Sequence, residues 1–207
     1  MWYGQKNTDK IIALYYEGGY VGNCIEVGVA DGKKGSNTLH FEELGWDTLC
    51  IDPIPAHVEA AKKIRKNVLM CACGEESLKG EDFYVFDIGD RSILSSLSGL
   101  KPDPKLLVSH GHLINKCHTI GVSVERLDDL IKEHHKHDHI DFISIDTEGT
   151  EVDVLKGLDL TETNYTIGLL VVENNHNELE IEEYLREFNW VKRDRYFVND
   201  FYVKVVN

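Results

Sequence analysis

Positive charge is scarce in this chain. Lysine and arginine total 22 against 36 aspartates and glutamates, a formal net charge of −14. Proteins that grip a nucleic-acid backbone usually carry a basic face. Nucleic acid is therefore not the expected partner, and a small or neutral substrate is. Long apolar runs are missing too: none approaches the ~20 residues of a membrane span. The opening, MWYGQKNTDK, lacks the basic segment and apolar block of a secretory signal. A cytoplasmic protein with no membrane partner is expected. No two of the five cysteines (Cys24, Cys50, Cys71, Cys73 and Cys117) are spaced CxxC. Buried free thiols in a reducing compartment are the plain reading. Repeats, linkers and low-complexity segments are absent as well.

What is present is an α/β alternation. The 207 residues are expected to form one domain, with residues 1–22 as a helical lead-in. Thr8 is placed to cap a helix that Gly18 and Gly19 stop. Strands are expected at 24–27, 48–51, 67–73, 140–145 and 167–172, with helices at 36–44, 57–65, 124–133, 151–158 and 178–188. Residues 82–86 and 117–124 also read as strands, separated by a Ser-, Gly- and Pro-rich excursion over 89–111. The stretch 190–206 reads as a hairpin about Asn199 and Asp200. Strands alternating with helices imply a doubly wound parallel sheet, whose ligands sit at the carboxyl ends of the strands. Glu26, Asp52, Asp146 and Glu173 stand at those ends.

The first turn selects the ligand. The dinucleotide fingerprint is GxGxxG. Here the order is Glu26-Val27-Gly28-Val29-Ala30-Asp31-Gly32, with Ala30 where a second glycine would admit a pyrophosphate. An acid two residues before Gly28 suits a cationic, zwitterionic ligand, S-adenosylmethionine, better than NAD. In this reading Glu26, Gly28, Ala30, Gly32 and Ser36 hold its amino-acid end. Asp52, followed by Pro53, accepts the ribose hydroxyls, and Ala72 and Cys73 flank the adenine.

These residues resemble the FkbM-type methyltransferases over most of the chain. Gln5 and Asp9 resemble the family's lead-in. Ser36-Asn37-Thr38, Gly45-Trp46 and Asp52-Pro53-Ile54-Pro55 follow the first turn in the family's order. The serines of 92–98 resemble its serine cluster. Asp141 to Glu151 (DFISIDTEGTE), then Leu155-Lys156-Gly157, are similar to its DfixiDxEGxExxvLkG segment, and Glu173-Asn174 to the close of the following strand. The resemblance implies a Rossmann-like class I methyltransferase, a seven-stranded and mostly parallel sheet with an antiparallel C-terminal strand and helices on both faces. It also implies methyl transfer from S-adenosylmethionine, usually to oxygen, often on sugars or natural products. Ser144 departs from the lysine that many members carry, and Asp52 from a more common glutamate.

A hydroxyl acceptor must lose its proton to a base or a metal. Asp146, Glu148 and His176 are the catalytic candidates; Asp146 also borders the cofactor, and Glu151 reads as a helix cap. Asp146, Glu173 and Asn174 offer oxygen ligands for one divalent ion, resembling the metal site of catechol-type O-methyltransferases. The FkbM resemblance does not imply that ion, and metal dependence is not expected. The histidine-rich run 134–139 reads as a solvated loop, while His110 and His112 can line a substrate pocket. The expected function is O-methylation of a sugar, glycan or small metabolite. The alternatives are a binding module that holds the cofactor without turnover and a nicotinamide-dependent enzyme.

Overall fold

A computed structural model describes residues 1–87, 98–101 and 104–205, with backbone alone at 106, 109, 110 and 113. The elements in chain order are α1 (Thr8–Ile12), β1 (Asn23–Val27), α2 (Leu39–Glu43), β2 (Asp47–Ile51), α3 (Pro55–Ala61), β3 (Val68–Leu69), β4 (Ala72–Cys73), β5 (Leu78–Asp87) and α4 (Pro104–His110). Then follow β6 (Lys116–Glu125), α5 (Leu127–His134), β7 (His139–Ile145), α6 (Glu151–Lys156), β8 (Thr166–Glu173), α7 (Glu180–Arg186), β9 (Trp190–Tyr196) and β10 (Asn199–Lys204).

Seven strands form the main sheet in the order β3-β2-β1-β7-β8-β10-β9. The first five are parallel, and β10 runs antiparallel to both its neighbours. All five residues of β1 are buried, as are six of the seven in β7. Central parallel strands are covered on both faces, which is why they read as nearly continuous apolar runs. On one face Ile25, Val27, Ile143, Ile145, Leu170 and Val172 pack with Leu127 and Ile131 of α5, Val154 and Leu155 of α6, and Ile181 and Leu185 of α7. On the other, Cys24, Phe142, Val171 and Phe201 meet Ile12 of α1, Phe41 of α2 and Trp46. Phe142 stands at the centre of that second face, 4.9 Å from Phe41 and 5.9 Å from Trp46 between ring centroids. Truncating it to alanine would cost about 3–5 kcal/mol.

The expected single strand at 67–73 divides. Val68 and Leu69 pair with Cys50 and Ile51, but β2 ends there, and Ala72 and Cys73 pair with Val124 and Glu125 of β6 instead. The reason is local: the chain after Ile51 turns away through Asp52 and Pro53, so β3 has no further neighbour to follow. The redirected piece joins β5 and β6 in a second sheet of order β4-β6-β5, packed through Ala72, Phe83, Val122 and Val124 onto Ile54.

Four smaller corrections follow. Thr8 is the first residue of α1 rather than its cap; Asn7 takes the cap position at φ 64°. The hairpin turns at Phe197 and Val198, while Asn199 and Asp200 lie buried inside β10, where Asp200 pairs with Arg195 at 2.7 Å. In the histidine run, His135 is buried, its Nε2 2.8 Å from Asn23 Oδ1. Cys117 is exposed on β6, whereas the other four thiols are buried. No helix among the described residues is long and apolar enough to cross a membrane.

Candidate active site

A cavity of about 530 Å³ opens at the carboxyl ends of β1, β2, β4, β7 and β8. The turn after β1 forms one wall. Gly28 sits at φ 88°, and a Cβ there would lie 1.8 Å from the carbonyl oxygen of Asp146. Only glycine fits that conformation beside that neighbour. The Gly28 and Val29 N–H groups both donate to Ile51 O, and Asp146 N donates to Val27 O at 3.0 Å. Ala30 also adopts a left-handed φ of 50°. Its N–H donates to Asp52 Oδ2 at 2.9 Å, so the turn and the end of β2 brace each other.

Glu26 does not line this cavity. Its carboxylate accepts hydrogen bonds from Ser36 Oγ (2.7 Å), Asn37 N (2.6 Å), Thr38 Oγ1 (2.6 Å) and Arg65 Nη1 (3.3 Å). Arg65, itself 4 % exposed, also bonds Glu42 through Nε at 2.6 Å, the Gly32 carbonyl, Ser36 and Thr38. Burial works against the charge on Arg65, but Glu26 and Glu42 outweigh it and hold its pKa above the ordinary value. Glu26, expected to attract a ligand's amino group or sulfonium directly or through water, instead belongs to a buried ion-pair group that fixes the segment before α2. Gly32 belongs to the same correction. A Cβ there would meet Ala61 at 2.9 Å, so the glycine permits close approach to α3 rather than to the cavity. Ser36 does line the cavity, with its hydroxyl given to Glu26.

Asp52 lines the opposite wall. Its carboxylate accepts from Ala30 N, Ile54 N (2.9 Å) and His57 Nδ1 (3.1 Å). A carboxylate has about four acceptor positions, which leaves room for a further donor. Pro53, Ala72 and Cys73 line the same wall with Ile54, Phe83 and Leu100. Burial pushes the Cys73 thiol well above its ordinary pKa and Cys71 up to about 12, so both are uncharged and apolar here. Two contributors escaped the sequence reading. His57 lines the cavity, and its position five residues after Asp52 on α3 was the available signal. Tyr3, Gly4 and Gln5 also line it, held there by the Gly35 N–H bond to Tyr3 O.

Three acids close the cavity at the ends of β7 and β8. Ligand oxygens of Asp146, Glu148 and Glu173 lie within 4.8 Å of one another. Glu173 is 5 % exposed, and its Oε2 has no hydrogen-bond partner. Burial pushes the Asp146 carboxyl up to about 7, against a hydrogen bond from Glu173 that favours the charged form; the charges of Glu151 and Glu26 raise it further. Glu173 is raised well above its ordinary value by burial, then by the neighbouring charges of Asp146, Glu148 and Glu151. Crowded together, each such carboxyl disfavours ionisation of the other. Glu148 occupies a left-handed turn position at φ 58°. Glu151, expected to cap α6, instead braces the turn before it, its Oε1 accepting from Thr147 N, Thr147 Oγ1 and Gly149 N.

Asn174 is not part of this group. Its side chain donates to Glu178 O and Asp200 Oδ2 and accepts from Glu178 N. The oxygen set is Asp146, Glu148 and Glu173, not the expected set with Asn174. His176 lies outside the cavity, in an adjoining cleft of about 600 Å³ that shares Thr150 and Glu173 with it and is bordered by Lys101 and Lys105. Asn37 Nδ2 bonds Ser144 Oγ at 3.0 Å in the buried sheet, so the position of the missing lysine faces the Glu26 group and not the acids. The serines at 92–97 lie outside the described residues; Ser98 lines the cavity and accepts from Phe86 N at 3.0 Å.

Comparison with known proteins bears on the family and the fold. A family model described as "Methyltransferase FkbM domain" matches residues 26–196. No curated protein matches the chain by sequence. Among solved structures the chain is similar to the METTL16 MTase domain, at TM-score 0.53 and 11% identity, covering 98% of this chain and 68% of that one. A second crystal form of that domain gives TM-score 0.51 and 10% identity with the same coverage. At such identity the likeness speaks to the fold alone, the α/β sheet just described.

Proposed function

This chain belongs to the FkbM methyltransferase family, and on that premise we propose that it binds S-adenosylmethionine in the cavity and methylates a hydroxyl of a sugar, glycan or small metabolite. One observation carries the reading. The cavity joins a carboxylate with spare acceptor capacity, Asp52, to an apolar wall of Ile54, Ala72 and Phe83 and to the acids at the ends of β7 and β8. That set of groups fits the cofactor: Asp52 would accept from a ribose hydroxyl, the apolar wall would face the purine, and the turn of 28–30 would border the amino-acid end. When bound, the cofactor supplies a methyl group on a positive sulfur.

The chain's own part is alignment and proton handling. Holding a nucleophile in line with the methyl group removes much of the entropic barrier. The acids at 146, 148 and 173 can orient a hydroxyl and receive its proton, since Asp146 is partly ionised near neutral pH. The adjoining cleft, lined by Lys101, Glu173 and His176, gives an acceptor rich in hydroxyls polar groups to bind.

Calorimetry with S-adenosylmethionine, followed by tritiated-methyl transfer to a glycan and metabolite mixture, tests the proposal. One-to-one binding with label transferred to acceptor oxygen is expected. Binding with no transfer to any acceptor would favour a cofactor-holding module, and saturable NADH binding without S-adenosylmethionine binding would overturn the cofactor.

A further inference from the structure

We propose that Asp146, Glu148 and Glu173 form a binding site for one divalent, oxygen-preferring cation of the magnesium, manganese or calcium class. Two observations carry this independently. The first is convergence: β7 and β8 are paired neighbours with Ile145 opposite Val172, so the next residues, Asp146 and Glu173, emerge side by side. Glu148 turns back toward them, and the three ligand oxygens come within 4.8 Å. The second is the state of Glu173 Oε2, buried in the protein with no hydrogen-bond partner. A buried carboxylate oxygen is normally satisfied, and an orphaned one marks a missing ligand or ion.

The surroundings agree. Neither Asp146 nor Glu173 has a lysine or arginine partner among the described residues. Of the described lysines bordering the cleft, Lys101 pairs with Asp153 and Lys105 with Glu178. All three donors are carboxylate oxygens, which select hard cations over those preferring thiolate. Cys71 and Cys73 line the same cavity but stand outside the group. Three protein ligands leave about three of six coordination positions open. The group itself stands at the junction where cavity and cleft share Glu173 and Thr150. If the methyl-transfer reading holds, on which this consequence rests, the acceptors favoured are those with two adjacent oxygens, such as a vicinal diol or an α-hydroxy acid. With the cation held there a hydroxyl would ionise more readily, its proton passing to solvent while the three carboxylates serve as ligands in place of the base role given to them above.

Manganese titration of the full chain, with free Mn²⁺ followed by electron paramagnetic resonance and without S-adenosylmethionine, tests the site. One saturable site is expected, displaced by Mg²⁺, with affinity about tenfold or more weaker in Asp146→Asn and Glu173→Gln and unchanged in Asp194→Asn. Nuclear magnetic resonance of the unmodified protein gives an answer that no variant's folding can obscure: Mn²⁺ should broaden the amide signals of Gly28 and Thr147 before those of the turn around Asp159. No saturable binding at millimolar Mn²⁺, broadening centred elsewhere, or unchanged affinity in both folded variants would overturn the proposal. Because cofactor binding is measured separately, a cation site without S-adenosylmethionine binding would count against the methyltransferase reading alone.

Discussion

Two groups of acids flank the same turn, the rear one buried throughout and the front one half-buried except at Glu173, and they are built on opposite principles. Behind the turn, Glu26 and Glu42 share one guanidinium, and hydroxyls and backbone N–H groups fill the remaining acceptor positions. In front of it, Asp146, Glu148 and Glu173 crowd together, and at least one oxygen is left unbonded. A buried charge is tolerated when it is paired and hydrogen-bonded, and otherwise shifts its pKa or takes up an ion. The first group is therefore architecture, and the second holds unspent capacity for a ligand. Acid content alone does not distinguish them; partner count does.

The largest way to break the contrast is Arg65→Met. It leaves Glu26 and Glu42 buried without their cation, and urea unfolding should show a loss of about 3–5 kcal/mol. Adding Glu26→Gln and Glu42→Gln to that variant should return part of the loss. Gly28→Ala comes next. It sets a Cβ against the Asp146 carbonyl in a left-handed backbone, at a cost of about 2–4 kcal/mol, and should abolish S-adenosylmethionine binding in calorimetry. Glu173→Gln should act with the opposite sign. Removing one crowded carboxylate should raise stability by about 1–3 kcal/mol at pH 8, seen as a higher urea midpoint; a loss of stability would mean that the front group is as well satisfied as the rear one.

The smallest effect sharpens the comparison from outside both groups. Burial, then the neighbouring His137, lowers His135 to about 4, while Asp47 pulls the other way. The unfolded chain takes up this proton near the ordinary histidine value and the folded chain only near 4. Between those pH values the unfolded state binds more protons, so stability falls as pH drops, by about 1–2 kcal/mol. His135→Gln should flatten the urea midpoint in that window and leave the acid groups untouched.

Much of the frame was legible because parallel strands buried on both faces announce themselves as apolar runs, as 140–145 and 167–172 do. The acids that close such runs were legible as polar breaks in an apolar pattern, but the pattern did not separate Glu26, which is structural, from Asp52, Asp146 and Glu173, which line the cavity. What the sequence concealed was direction. Nothing in the run 67–73 says that Leu69 and Ala72 belong to different sheets, since that depends on where β2 stops. Nothing near Glu26 names Arg65, which lies 39 residues away and reaches it only through the packing of α3. The same holds for Asn174, whose place beside Glu173 implied a shared site, but whose amide is claimed by Asp200 and by Glu178. Local pattern reports which side chains are polar, and long-range contacts decide which still have a position to offer.

The contact between Gly28 and the Asp146 carbonyl has a mechanical meaning. With Asp146 N bonded to Val27 O, the tips of β1 and β7 are clamped at two adjacent points, and no side chain can be wedged between them. The cofactor turn and the acid group therefore ride on one stiff unit. Their spacing is a fixed gauge, which leaves any opening or closing of the cleft to the other parts that line it, among them the N-terminal residues 3–5 and the second sheet.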